Sequence, residues 1–485
     1  AAAAVTALVA CWWITVAIPI PVTSLLPLVL FPLVGVMTIQ DAAAPYANSN
    51  VFLFMGGFMI ALAIERWGLH RRIALHIVRI VGTSRATIVL GFMAASALLS
   101  MWISNTATTL MMIPIGLAII SAIGDLGHEA DTKRHKNFAA ALMLGIAYAA
   151  SIGGVATPIG TPPNISFRGQ LARLFPLAPE ISFGQWMVAF LPLVLVFLPV
   201  VWVVLVRITC PVGTGRMAVG RDVIRKDLHG LGPIRGPEAC VLAIFLLTAV
   251  LWMTRTIPLG DANYGWSALI ERWTSAGGGR VFPFNAKYVN DATVAMGMAV
   301  LLFIIPVRSV GSGVRTTLMN WTTAQRLPWG ILLLFGGGFS LAAGLRSSGM
   351  STWCGQVFAG LGVTDPLYVV GANCLMMTFL TEVTSNTATT EVMLPILAGA
   401  SGAMGLNPLL LMLPATISAS CAFMMPVATP PNAIVFGTGH VEMGRMVRSG
   451  LIINLIGVVL VTATFYLFVG PILEIDATSI PQWAQ

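Results

Sequence analysis

Charge is what this chain has least of: Asp, Glu, Lys and Arg make up 9% of its 485 residues, against 57% hydrophobic. At a mean hydropathy of +0.88, there is more apolar surface than a water-soluble core of this length can hide. The chain therefore reads as an integral membrane protein. Its six cysteines form no CxxC pair and stand near no histidine ladder, so neither a disulfide framework nor a zinc site is indicated. His128-Glu129 followed by His135 has the wrong spacing for a metalloprotease helix and reads as a solvated loop. No nucleophile with a positioned base occurs, which argues against an enzyme. The net charge of +8 would suit nucleic acid, but the basic residues lie in loops between apolar runs, where membrane topology accounts for them. No nucleic-acid partner is expected.

What the chain does have, it has twice. Ser-Asn-Thr-Ala-Thr-Thr occurs at Ser104–Thr109 and at Ser385–Thr390, each time inside an apolar stretch. The same offset relates Gly56-Gly57-Phe58 to Gly337-Gly338-Phe339, Gly68 to Gly349 and Pro114 to Pro395. Thr161-Pro162-Pro163-Asn164 recurs as Thr429-Pro430-Pro431-Asn432, with Pro158 matching Pro426 at a shorter offset, and the hydrophilic stretch 121–136 supplies the difference. A weaker match pairs Trp13, Thr15, Ile18 and Pro19 with Trp252, Thr254, Ile257 and Pro258. Repeated, broken apolar segments are a transporter signature.

A crossing needs about 20 apolar residues. Runs that suit one lie near 4–18, 22–38, 50–67, 137–156 and 185–207, then near 237–257, 292–306, 329–347, 408–427 and 450–472. Stretches 86–120 and 367–400 hold their Ser-Asn-Thr near the middle, so each is predicted to be a re-entrant hairpin with the motif at its tip. The fold expected is all-α with two repeats, each of five crossings, one hairpin and one interrupted helix. An odd number of crossings inverts the second repeat relative to the first. The positive-inside rule agrees, since most of the 26 Lys and Arg fall in loops predicted cytoplasmic, among them Arg66–Arg85, Lys133–Lys136, Arg207–Arg235 and Arg445–Arg448. The first hairpin then opens from the cytoplasm and the second from the opposite face. Gly68–Gly82 alternates Arg and His with Ile, Leu and Val at helical spacing and suits the membrane surface, either as a lever between two bodies or as an ordinary juxtamembrane helix.

At a hairpin tip one helix ends and another begins, so free carbonyls, free amides and Ser, Asn and Thr side chains converge. Carbonyls and hydroxyls can replace the water shell of Na⁺, while helix N-termini and amides suit a carboxylate or sulfate. Proline in the Thr-Pro-Pro-Asn segments removes amide donors and forces the helix to unwind, which exposes further carbonyls. Glu382 and Glu391 flank the second motif at membrane depth, where Met101 and Leu110 stand in the first half. They read either as structural carboxyls or as cation-coupling groups.

The hairpin tips MWISNTATT and TEVTSNTATT and the segments IGTPPN and VATPPN resemble the divalent anion/sodium symporter family, which includes sodium-coupled dicarboxylate, citrate and sulfate carriers. The resemblance spans essentially the whole chain. It implies a homodimer in the cell (inner or plasma) membrane, with Na⁺, a small divalent anion and the lipid bilayer as partners. A scaffold would comprise 1–85 and 237–365, a transport body 86–208 and 366–475, and 209–236 a cytoplasmic loop. Carried over by position, a first Na⁺ site takes Ser100, Ser104, Asn105 and the backbone at Gly160. A second takes Thr381, Ser385, Asn386 and the backbone at Ala428. Substrate lies between Asn105, Thr106, Asn386 and Thr387, with Thr161, Thr429 and Pro430 as further neighbours. Family members carry one more helix ahead of the first repeat; here the chain starts with four alanines, and that helix is expected to be missing from the sequence.

The function so implied is Na⁺-coupled symport of a C4-dicarboxylate first, citrate or sulfate next, by an elevator movement. The alternative within the fold is Na⁺-independent anion exchange. Hairpins entering from opposite faces argue for alternating access over an anion channel.

Overall fold

The computed structural model describes residues 1–81, 84–124, 133–213, 218–259, 262–275, 284–308, 315–350, 365–477 and 479–484. The polar insertion with His128 and Glu129 and the end of the predicted second scaffold segment, 351–364, lie outside them.

The principal helices are α1 (Ala2–Thr15), α2 (Leu26–Leu33), α3 (Ser49–Arg66), α4 (Leu69–Val81), α5 (Arg85–Ser100), α6 (Asn105–Gly124), α7 (Lys133–Gly154), α8 (Pro162–Leu174) and α9 (Phe183–Val203). They continue as α10 (Ala218–Leu231), α11 (Gly236–Thr254), α12 (Asp291–Ile304), α13 (Trp329–Ser347), α14 (Pro366–Leu380), α15 (Asn386–Ala403), α16 (Leu409–Ala419), α17 (Pro430–Gly437) and α18 (Met443–Thr464). Among the described residues, seven helical stretches are long and apolar enough to cross a membrane. Of the ten crossings predicted, those near 4–18, 22–38, 292–306 and 408–427 fall on shorter apolar helices. Proline explains the first pair: Pro19 and Pro21 follow the left-handed Val16 (φ 50°), and the second run splits into a four-residue turn, Ile20–Thr23, and α2.

Exposure is inverted relative to a soluble protein. Leu33, Leu195, Val459 and Leu467 face outward, where lipid replaces water, and helices approach through small residues. On α3, a Cβ at Gly56 would lie 2.7 Å from the Ala295 carbonyl carbon of α12, so glycine sets that contact. α4 buries Leu69, Ala74, Leu75 and Val78 against α5 and α10, and its Arg72 makes a largely buried ion pair with Glu238 at 2.6 Å. The predicted surface helix is thus anchored on both sides. His135, read as part of a solvated loop, is instead buried in the first turn of α7, because the helix starts two residues earlier and carries it inward.

Two features organise the interior. Residues 101–104 turn α5 into α6, and 381–385 turn α14 into α15. Asn105–Ala122 has the length of a crossing, but this turn folds it back onto α5. α7 and α8 are separated by 155–161, and α16 and α17 by 420–429. The halves exchange partners: α17 packs on α6 and α7, while α8 packs on α15 and α16.

Candidate functional site

Each helix break is tied by its own motif asparagine. Asn164 Nδ2 donates to the carbonyls of Thr157 (2.8 Å), Gly154 (3.2 Å) and Val155 (3.4 Å), and Asn432 Nδ2 to Ala422 and Met425 (both 3.1 Å). Both asparagines are fully buried. Pro158 and Pro426 leave the Gly154 and Ala422 carbonyls, four residues earlier, without helical donors; the asparagines satisfy them, which holds each break open at low cost. Thr429 caps α17 by accepting from Asn432 N at 3.3 Å, and Thr161 Oγ1 reaches Ser420 Oγ of the other break at 3.4 Å. The motifs were legible in sequence, but this role of the asparagines was not.

Each break is also tied to its own hairpin through one repeated position. In the first half Thr157 Oγ1 donates to the Met101 carbonyl at 2.5 Å. In the second, Glu382 stands where Met101 does, and its carboxylate accepts from Phe423 N (2.7 Å), Met424 N (2.9 Å), Met425 N (3.0 Å) and Asn454 Nδ2 (2.6 Å). Glu382 is 3% exposed, and its carboxyl caps the second break. Glu382→Ala leaves those donors unpaired at about 1–3 kcal/mol each. A clear drop in the detergent melting temperature is expected, smaller for Glu382→Gln; an unchanged melt in the alanine variant would refute the capping role.

At the first hairpin tip the structure brings three predicted residues together. One end of the Asn105 side-chain amide lies 2.5 Å from Ser100 Oγ, 3.2 Å from Gly160 O and 3.3 Å from Ala150 O. Gly154 makes room for it: a Cβ there would lie 2.8 Å from Gly160 O and 2.9 Å from Asn105 Oδ1. The result is an oxygen-lined nook between a hairpin and a helix break. Ser104 caps α6 by accepting from Ala107 N at 3.2 Å. With Thr106 it lines a cavity of about 620 Å³ that extends to Glu65, His70 and Arg326. Burial holds the His70 imidazole below its ordinary pKa, so it contributes little positive charge to that cavity near neutral pH.

The second tip is arranged differently. Thr381 Oγ1 donates to Met377 O and Thr378 O, each at 3.0 Å, and so is engaged by its own helix. Asn386 Oδ1 is buried without a hydrogen-bond partner. Thr387 is buried, Ser385 and Asn386 are half-buried, and Ala428 and Thr429 are buried at the facing break, with Pro430 exposed beside them. Among the described residues, no hydrogen bond joins Thr381, Ser385, Asn386 and Ala428 to one another.

Paired hairpin turns and paired helix breaks, set among helices long and apolar enough to cross a membrane, define a multi-pass membrane protein built as a secondary transporter. The chain belongs to the family described as the sodium:sulfate symporter transmembrane region, whose model matches residues 1–474. It is 44% identical over 477 residues to the sodium-dependent dicarboxylate transporter SdcS of Staphylococcus saprophyticus, covering 98% of this chain and 87% of that one. Against the protein of the same name from Staphylococcus aureus it is 42% identical over 475 residues, covering 98% and 86%. Among solved structures, the Alcanivorax borkumensis YdaH transporter superposes with a TM-score of 0.57 at 16% identity, covering 90% of this chain and 87% of that one. Neisseria gonorrhoeae MtrF superposes at 0.55 and 15%, covering 90% and 83%. These two likenesses speak to the fold.

Proposed function

We propose that the protein is a Na⁺-coupled symporter of a small dianion, a C4-dicarboxylate before citrate or sulfate, acting in the cell membrane as a homodimer of inverted repeats. The observation that carries this is the nook around Asn105, where Ser100 Oγ and the carbonyls of Gly160 and Ala150 converge on one amide end. In the ion-free arrangement that satisfies these contacts the amide nitrogen of Asn105 donates to them; with the amide turned so that Asn105 presents its oxygen, the set offers a hard monovalent cation an all-oxygen shell without a buried charge. The names of the SdcS relatives support both the ion and the substrate class. The orphaned Asn386 Oδ1 fits a second cation site with Thr381, Ser385 and the Ala428 backbone, once Thr381 leaves its helix carbonyls.

Substrate is then held between Asn105, Thr106, Asn386 and Thr387, with Thr161, Thr429 and Pro430 at the breaks. The cavity beside Ser104 and Thr106 serves as its route on the cytoplasmic side. The hairpins and broken helices move as one transport body against a scaffold of α1–α3 and α11–α13, an elevator. Each net positive charge that accompanies the dianion contributes about 2.3 kcal/mol per 100 mV of membrane potential.

Because the ions order the tips that hold the anion, the coupling is reciprocal: raising Na⁺ should tighten succinate binding by about tenfold or more. Binding to purified protein in sodium chloride and in choline chloride measures this. Equal affinity in the two salts would favour Na⁺-independent exchange, and uptake into proteoliposomes with and without a Na⁺ gradient decides between the two.

A further inference from the structure

Glu391 takes no part in the sites above. It lies on α15 and is fully buried, where the first half carries an exposed Leu110, so it has no twin in the duplicated machinery. Its Oε2 accepts from Gln170 Nε2 of α8 at 2.5 Å, and the carboxyl occupies the space that a Cβ on Gly338 of α13 would need. Ser166, one turn before Gln170, adjoins the same carboxyl. Glu391 Oε1, Gln170 Oε1 and Ser166 Oγ are all buried with no hydrogen-bond partner. Two of these, Glu391 Oε1 and Gln170 Oε1, are acceptors short of a donor or cation on side chains already joined to each other, and Ser166 Oγ carries a hydrogen of its own.

No fixed positive charge answers them. The elements packed against α15 are α8, α16, α13 and α1. On α8, Arg168 turns to Asp291 and Glu180, and Arg173 lines a different cavity together with Arg346 of α13, which also holds the Arg173 carbonyl at 2.7 Å. α16 has no ionisable side chain and α1 only Cys11, which is exposed. A bare carboxylate in such a place is costly. A proton needs no coordination shell, which suits a carboxyl pressed between Gln170 and the Gly338 backbone, and it turns one carboxyl oxygen into a donor while removing the charge.

We propose that Glu391, with Gln170 and Ser166, is a third cation site, separate from the two hairpin tips, and that it holds a proton whenever α8 and α15 slide against α13. The inference rests on the elevator reading, since only a sliding contact makes the charge on Glu391 bear on movement. With Na⁺ saturating and succinate fully dianionic, uptake falls toward alkaline pH, by about tenfold per pH unit once the proton leaves.

The test joins two readouts. Proteoliposome succinate uptake is measured from about pH 7 to about pH 10 for wild type, Glu391→Gln and Gln170→Leu. Infrared difference spectra of wild type minus Glu391→Gln report the C=O stretch of a neutral carboxyl without reference to transport. Expected are an alkaline fall in wild type, a flat profile in Glu391→Gln, and a fall displaced to higher pH in Gln170→Leu, which loses the donor to the charged form. The neutral-carboxyl band should be present at neutral pH. If Glu391→Gln does not fold, the displacement in Gln170→Leu decides. A wild-type fall persisting in Glu391→Gln, or a band absent at neutral pH, overturns the proposal; a band lost specifically on adding Na⁺ replaces the proton with Na⁺ and overturns it as well. Absence of Na⁺-driven uptake at every pH would instead remove the symport reading, and the infrared band would still decide whether Glu391 holds a proton.

Discussion

Asn105→Ala and Asn386→Ala should each lower Na⁺-driven succinate uptake by at least about a hundredfold while the protein still elutes as a folded species. The expectation follows from geometry and charge. In the proposed site each asparagine contacts a cation and an anion, and a hydrogen bond or ligand contact to a charged group contributes about 1.5–3 kcal/mol. Losing two such contacts costs about 3–6 kcal/mol, which corresponds to about a hundredfold or more. Both side chains are half-buried; Asn386 Oδ1 has no hydrogen-bond partner to lose, while Asn105→Ala also gives up the contacts to Ser100, Gly160 and Ala150 and should lower the melting temperature modestly without preventing folding. Size-exclusion profiles and uptake are compared in the same preparations. Wild-type uptake in either variant would remove these residues from the site. Asn105→Asp, which adds a charge to an oxygen nook, should retain Na⁺ dependence better than alanine does.

The parts of this architecture that were legible in sequence are those with local causes. Proline at 162–163 and 430–431 cannot continue a helix, and both breaks fall there. Ser-Asn-Thr inside an apolar run has to sit where backbone is already irregular, and both hairpin turns end at it. Duplication strengthened each reading, because a kink or a polar helix contact would have no reason to recur at a fixed offset.

What the sequence withheld depends on contacts between distant segments. In sequence Glu382 reads first as a structural or water-facing carboxyl, with ion coupling as the lesser alternative, and only the fold of 423–425 around its carboxylate shows what it caps. Asn164 and Asn432 stood in plain view inside their motifs, yet their partners are carbonyls released by the break itself. The cluster of Arg168 and Asp291, 123 positions apart, leaves no spacing to read. Its one trace was an arginine within an apolar segment, which by itself calls for a partner without naming it.

That cluster carries the largest stability effect expected for a residue outside the site. Asp291, 1% exposed at the start of α12, accepts from Arg168 of α8 at 2.9 Å and from Arg255, which follows α11, at 2.7 Å. Glu180, in the segment between α8 and α9, completes it at 2.7 Å from Arg255 but is half exposed. Replacing Asp291 by alanine leaves two buried guanidinium groups with only the half-exposed Glu180 as counter-charge, and breaking a buried pair in this way costs about 3–5 kcal/mol. Removing Glu180 deletes a solvent-screened partner, for which about 1 kcal/mol or less is typical. The detergent melting temperature should therefore fall far more for Asp291→Ala than for Glu180→Ala, with Asp291→Asn in between because it keeps one acceptor. Much of the loss should return when Asp291→Leu is combined with Arg168→Met and Arg255→Met, since an apolar replacement of the whole group removes the stranded charge that makes the single change so costly. Equal melts for Asp291→Ala and Glu180→Ala would contradict this ranking and place the stabilising contact between these helices in their packing instead of in the ion cluster.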